Sequence, residues 1–309
     1  MKRFVFAKYH PCVQLAHLYE HLFVDAVSEA LYQRKQYKFL DYAINGATYE
    51  SGVIIISAEA YTAAAQQFLE RLTTVKANLG KEASGYMPVA RALSQLLAEE
   101  SEALFVGDTE AIIHELKRLD CELWQNLDDI QQLPPQTLKQ IEANDLIHAV
   151  DQPAKPPRKV ALQFIYEDYS PKLLPLWHQF AHFLSLSIGQ KICHNFWAYF
   201  SHETTELQDK SAKLDCTFLL NSQAQPSASA KDILQAARKI LPELTTDEIK
   251  KRFIAYLQSA SYSDNPFTAP NEDQILRDTG ILIGAAGWRE IATAQNIKHL
   301  SEKLQINAI

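Results

Sequence analysis

Nowhere in the chain do about 20 apolar residues run on without interruption, the length a membrane-spanning helix needs, so no span is expected. The start, Met1-Lys2-Arg3, leads only into a short strand-like run, and no signal peptide is expected either. Cysteine is scarce: Cys12, Cys121, Cys193 and Cys216 stand far apart and form no C-x-x-C pair, as expected of reduced, unpaired thiols in a cytoplasmic protein. An excess of positive charge is missing too. Residues 1–150 carry 13 Lys and Arg against 20 Asp and Glu, and residues 151–309 carry 17 against 17, which argues against a nucleic-acid partner. Gly280, Gly284 and Gly287 follow no strand, so they read as a helix end and a turn, not a phosphate-binding loop.

What is present is the composition of an ordinary soluble protein, 47% apolar and 22% charged, in 309 residues. That length suffices for two domains of about 150 residues. The stretch with most chemistry is His17-Leu18-Tyr19-Glu20-His21, inside an apolar run from Val13 to Leu31. Histidines four apart on a helix share one face and can bind one metal ion, with Glu20 beside them as a carboxylate able to take a proton from water. This H-x-x-E-H order inverts the commoner H-E-x-x-H. Against it stands the reading of core histidines bonded to backbone. The helix from Cys12 to about Gln33 is apolar nearly all round, and a buried helix carrying His17, Glu20 and His21 must satisfy all three groups, which one metal ion would do.

Taken in order, Arg3 to Tyr9 alternates as a strand, and Val53-Ile54-Ile55-Ile56-Ser57 reads as a strand buried on both faces. Asn45-Gly46 is ambiguous, a hairpin-turn signal as much as a functional one. Helices are expected from Ala58 to Leu72, from Pro88 onward, from Thr109 to Ile130 as a solvated acidic helix, and from Pro134 to Val150. On the Pro88 helix, Glu100 falls within an apolar stripe and is the first choice for a third ligand, Glu99 the close alternative and Glu102 a distant third. Asp151 to Pro157 is a proline-rich linker, so domains are placed at 1–150 and 159–309 with residues 151–158 between. The pattern then repeats: strand Lys159 to Tyr166, helix Pro171 to Ile188, strand-like Asn195 to Ser201 and Lys213 to Leu220, helix Ala230 to Leu241, and further helices from Asp247. His178 and His182 match His17 and His21, whereas Ala181 stands where Glu20 does, so the second copy reads as a degenerate site in an internal duplication.

Together these features resemble the pitrilysin and insulysin family of inverted-zincin zinc peptidases. The resemblance implies an α+β fold of two tandem homologous domains, each a mostly antiparallel sheet covered by helices. It implies Zn²⁺ on His17, His21 and Glu100 (or Glu99), Glu20 as general base, and a strand edge at Asn45, Gly46 and Ala47 that pairs with substrate backbone. In the family's second domain an Arg and a Tyr face the metal; Tyr199 matches the Tyr, but Ile192, with Lys191 beside it, stands where the Arg should be. The chain is a compact form of that architecture, so a homodimer or paired subunit is expected. The activity implied is a cytoplasmic, zinc-dependent endopeptidase acting on extended peptides, with no nucleic-acid or membrane partner. Two rivals stand beside it: a non-catalytic scaffold or partner subunit of a heteromeric peptidase, and a plain α+β interaction module with structural histidines.

Overall fold

The computed structural model describes residues 2–80, 88–89, 92–93, 96, 109–127, 158–196, 198–220, 228–259 and 272–309. The alternation at the start of the chain forms β1 (Lys2–Tyr9), which buries Phe4 and Phe6 on the core face. After Pro11 comes α1 (Val13–Gln33), then β2 (Tyr42–Thr48) and β3 (Val53–Ala60). They are followed by α2 (Ala63–Leu69), α3 (Thr109–Cys121) and the short β4 (Gln125–Asn126). The strands form one antiparallel sheet in the order β2-β3-β1-β4. α1 lies across β2 and β3, and its Leu15, Leu18, Leu22, Val27 and Leu31 share a core with Ile54, Ile56 and Ala58.

The second half runs β5 (Arg158–Glu167), α4 (Leu174–Phe196), β6 (Ala198–Gln208) and β7 (Ser211–Leu220). Then come α5 (Ala230–Leu244), α6 (Asp247–Ser259), α7 (Glu272–Thr279), α8 (Ala285–Ile291), α9 (Ala294–Lys303) and β8 (Gln305–Ala308). Its sheet, in the order β6-β7-β5-β8, is again antiparallel. Strand for strand, β5, β6, β7 and β8 occupy the places of β1, β2, β3 and β4, and α4 follows β5 as α1 follows β1. The fold is therefore α+β, with two antiparallel four-stranded sheets covered by helices. The chain divides into two compact units, one holding residues 41–157 with the N-terminal segment, the other holding residues 158–220, the C-terminal part and the short stretch Lys38–Leu40.

Several elements differ from the sequence reading. β3 is not buried on both faces: Ile54, Ile56 and Ala58 are buried, whereas Val53, Ile55 and Ser57 are only half-covered. Its pairing with β1 and β2 continues to Ala60, so residues 58–60 are strand although alanine and glutamate favour helix. The helix begins later, where the Thr62 side chain accepts a hydrogen bond from the Ala65 N–H and caps it. α3 stops at Cys121 instead of Ile130, because Gln125 and Asn126 pair with Ala7 and Phe6 at the sheet edge. Asn195 and Phe196 belong to α4, and β6 runs on to Gln208 with an irregularity between Phe200 and His202. The C-terminal part is not all helix, since Gln305–Ala308 closes the second sheet beside β5. The Pro134 helix and the linker at 151–157 lie outside the described residues. Among the described residues, no helix is long and apolar enough to cross a membrane.

Candidate metal centre

α1 carries His17 and His21 one turn apart, as four-residue spacing requires. Their Nε2 atoms converge to 3.2 Å, with ring centroids 4.9 Å apart. A single zinc ion about 2.0–2.1 Å from each nitrogen, at a near-tetrahedral angle, needs those nitrogens roughly 3.3 Å apart. The pair therefore fits two ligand positions on one ion. Glu20 turns to the next strand and is 9% exposed. A buried carboxylate needs donors, and the Thr48 hydroxyl supplies one, donating to Glu20 Oε2 at 2.9 Å.

β2 comes in close because it carries glycine. A Cβ placed on Gly46 would stand 2.2 Å from Glu20 Oε1 and 2.8 Å from its Cγ, so any side chain there would displace the whole carboxylate arm. This corrects the hairpin-turn reading of Asn45-Gly46. Both residues lie inside β2, opposite Ser57 and Ile56. The turn falls at Tyr49–Gly52, where Gly52 has φ +79° and its carbonyl accepts the His10 N–H at 2.9 Å. Asn45 is exposed, Gly46 and Ala47 half-buried, and among the described residues β2 is an outer strand of its sheet. The Thr48 and Gly46 contacts with Glu20 escape local reading, because each joins residues more than 25 positions apart.

Glu99, Glu100 and Glu102 lie outside the described residues. Among the described residues no group of three His, Cys, Asp or Glu side chains is placed to hold a metal ion. Of the apolar stripe expected on the Pro88 helix, Val89 and Leu96 are buried and Leu93 is half-buried, with Ala92 buried beside them.

The second histidine pair has another arrangement. His178, 1% exposed, donates from Nε2 to Asp278 Oδ2 at 3.0 Å. That bond, with the imidazole's charge, holds the Asp278 carboxyl below its usual range. His182 donates from Nδ1 to Glu203 Oε2 at 2.5 Å, and the Ser185 hydroxyl bonds the other oxygen of Glu203. Phe39, from the short stretch that belongs to this unit, lies edge-on to His182 with centroids 5.4 Å apart. Tyr199 is half-buried on β6 opposite Leu219, and Ile192 is fully buried as a core residue of α4.

A further polar cluster, behind α1, was not foreseen. Lys8 is 5% exposed; its Nζ donates to the Leu119 carbonyl at 2.8 Å and to the Tyr19 hydroxyl at 3.2 Å. It lies 4.8 and 4.6 Å from the ring centroids of Tyr19 and Trp124. Tyr19 in turn donates to Asp120 Oδ1 at 2.8 Å, so α3 is more than a solvated face. Burial lowers the Lys8 amine to about 8, whereas burial and the neighbouring Asp120 push the Tyr19 phenol upward.

No protein-family model matches the chain, and no curated protein matches it in sequence. Among solved structures it is similar to the periplasmic protease PqqL from Escherichia coli, with TM-score 0.30 and 11% identity over 99% of this chain and 42% of that one. It is similar to pitrilysin, with TM-score 0.28 and 11% identity over 98% of this chain and 42% of that one. It is also similar to a peptidase M16 inactive domain from Pseudomonas fluorescens, with TM-score 0.28 and 12% identity over 99% of this chain and 91% of that one. The chain thus spans 42% of the length of the first two.

Proposed function

We propose that the chain is a cytoplasmic zinc-dependent endopeptidase that hydrolyses extended oligopeptides. The observation that carries this reading is the convergence of His17 and His21 through their Nε2 atoms, 3.2 Å apart, on the helix that also presents Glu20, a buried carboxylate anchored by Thr48. Two neutral imidazoles at this distance share one N–H···N hydrogen bond, and the same two nitrogens are placed to hold a shared cation. In the proposal His17 and His21 hold zinc together with Glu100, or Glu99 in its place. Zinc in such a site supplies Lewis acidity, polarising the scissile carbonyl and making water more acidic.

The chain's own residues supply the rest. Glu20 takes a proton from the attacking water as its oxygen bonds to the carbonyl carbon, and later delivers that proton to the leaving amine as the C–N bond breaks. Thr48 and the bare backbone at Gly46 fix where Glu20 stands. The substrate lies extended along β2 at Asn45, Gly46 and Ala47, where backbone hydrogen bonding gives affinity with little dependence on sequence. Tyr199 enters the proposal as a hydroxyl donor to the developing oxyanion, and the working form as a homodimer or a paired subunit.

Elemental mass spectrometry of the purified protein, beside His21→Ala, tests the metal. Near-stoichiometric zinc that disappears in the variant is expected. Glu20→Gln should keep that zinc and lose peptide cleavage; cleavage at the wild-type rate would sink the mechanism. A protein that takes up no metal even when zinc is supplied is instead a non-catalytic scaffold.

A further inference from the structure

Edge strands of stable proteins are blunted by charged side chains, proline, bulges or short length. β6 has a bulge near one end and the inward-turned Glu203, yet beyond the bulge it is long and regular. Beyond the irregularity near Ser201, it pairs without interruption with β7 from His202↔Thr217 to Gln208↔Ser211. Its sequence there, His202-Glu203-Thr204-Thr205-Glu206-Leu207-Gln208, contains neither lysine nor proline. Among the described residues no strand pairs its outer side, and His202, Thr204, Glu206, Leu207 and Gln208 are exposed.

The faces of this strand are fixed. Glu203 turns to α4, where it accepts from His182 and Ser185, and Thr205 and Leu207 share its parity opposite the buried Leu214 and Ala212. His202, Thr204 and Glu206 therefore occupy the outer face, opposite Thr217, Asp215 and Lys213.

We propose that β6 is a self-association edge: two copies of the chain join antiparallel through it, about a two-fold axis at Thr204. The register follows from charge. Residues directly opposite across an antiparallel pair share a face, so a two-fold axis perpendicular to the sheet passes through a single residue. Centred on Glu203 or Glu206, it would set a glutamate against its own copy. Centred on Thr205, it would set Glu206 against Thr204 and leave His202 facing Gln208. Centred on Thr204, it sets Thr204 against Thr204 and His202 against Glu206 twice, once on each side of the axis. An imidazole N–H opposite a carboxylate can donate to it, whereas glutamate opposite glutamate is unfavourable. In one copy, the Ser201 and Thr217 hydroxyls lie 3.1 and 3.5 Å from the two His202 ring nitrogens, so pairing with Glu206 of the other copy would exchange the longer contact, to Thr217, for a carboxylate. The interface is isologous, closes at two copies, and joins the two four-stranded sheets into one of eight strands.

This pairing gives a specific form to the homodimer in the proposed function and rests on that reading, but residues 202–208 take no part in the proposed metal chemistry, so either idea can fail while the other stands. The test is sedimentation velocity on the full chain over a concentration series. The wild type should associate to a dimer, and His202→Glu, which sets glutamate against Glu206 twice, should raise the dissociation constant on the order of tenfold. The double exchange His202→Glu with Glu206→His restores both pairs and should return the constant to within a few-fold of wild type. As a check on register, Thr204→Cys should form an intermolecular disulfide under mild oxidation, because directly opposed Cα atoms lie about 4.5–5.5 Å apart, within disulfide reach. His202→Cys, whose copies lie on opposite sides of the axis, should not. A wild-type monomer throughout the series, a peptide ligand in place of the second copy, a double exchange as weak as the single one, or equal cross-linking of the two cysteine variants would overturn the proposal.

Discussion

Gly46→Ala should separate activity from stability more sharply than any other single change. The new methyl would stand 2.2 Å from Glu20 Oε1, 2.7 Å from Cδ and 2.8 Å from Cγ. Since the clash reaches back to Cγ, turning the carboxylate about its last bond gives no relief, and the arm must change rotamer or the strand must retreat. Either movement breaks the 2.9 Å hydrogen bond from Thr48, a bond to a charged acceptor worth about 1.5–3 kcal/mol. Against that loss stands the smaller conformational freedom of alanine in the unfolded chain, worth about 0.4–1 kcal/mol in favour of the variant. The net effect on stability is a loss of about 1–2 kcal/mol, readable by urea unfolding. The effect on cleavage is far larger: displacing a reacting group by about 1 Å can cost 10²-fold, and removing a general base about 10²–10⁴-fold. Peptide hydrolysis should therefore fall at least about 100-fold in kcat while zinc content holds, since His17 and His21 are not touched. A Gly46→Ala protein that folds with wild-type stability and cleaves at the wild-type rate would refute the role given to Glu20 and the close approach of β2.

Thr48→Val should remove the donor to Glu20 without adding bulk, costing about 1–3 kcal/mol in stability and leaving zinc bound, as unfolding and elemental analysis will show. Lys8 gives a pH signature. Its amine titrates near 8 in the folded protein and near 10.4 when unfolded, so between those values the unfolded chain holds the extra proton and stability rises with pH. From pH 7 to pH 9.5 the gain is about 2 kcal/mol, and Lys8→Met should lose this pH dependence in parallel urea titrations. Thr62→Ala, which deletes the cap of α2, should cost about 0.5–2 kcal/mol.

Where sequence and structure agree, the residues answer to periodicity; where they part, the cause is contact with distant residues. α1 could be read to within a residue of its ends, because its apolar positions and Pro11 are local signals. Residues 58–60 read as helix on propensity, yet they are strand because Lys2–Phe4 and Tyr42–Ile44 pair with them on either side. Asn45-Gly46 carries the composition of a turn, but its glycine is required by Glu20, 26 positions earlier and invisible from local pattern. β4 and β8 are too short to show alternation and exist by pairing with β1 and β5. At the candidate site the H-x-x-E-H spacing alone placed the two histidines on one face, while the burial of Glu20 and its bond to Thr48 depend on how α1 rests on β2.

The two units pose one experiment between them, because the same helix in the same topological place carries two histidines in each. On α1 the Nε2 atoms meet at 3.2 Å beside Glu20. On α4 each imidazole has its own carboxylate, His178 with Asp278 and His182 with Glu203, and Ala181 stands where Glu20 does. Binding a cation through the nitrogen that donates at 3.0 or 2.5 Å would give up that hydrogen bond, which leaves one ring nitrogen of each imidazole for any metal. The expectation for the second pair is a contribution to stability, not a second metal site. His178→Ala would leave a cavity and Asp278 without its donor, at a cost of about 2–4 kcal/mol. The Asp278 carboxyl sits below its usual range, so this contribution is present near neutral pH and is lost as pH falls through the lowered value. His178→Ala should thus be destabilised most at neutral pH and less in acid, where only the cost of the cavity remains, while binding as much zinc as wild type. One zinc per chain, lost in His21→Ala and kept in His178→Ala, is the expected result; a second equivalent that disappears with His178 would mean that the carboxylates of the second unit serve a metal and not the fold.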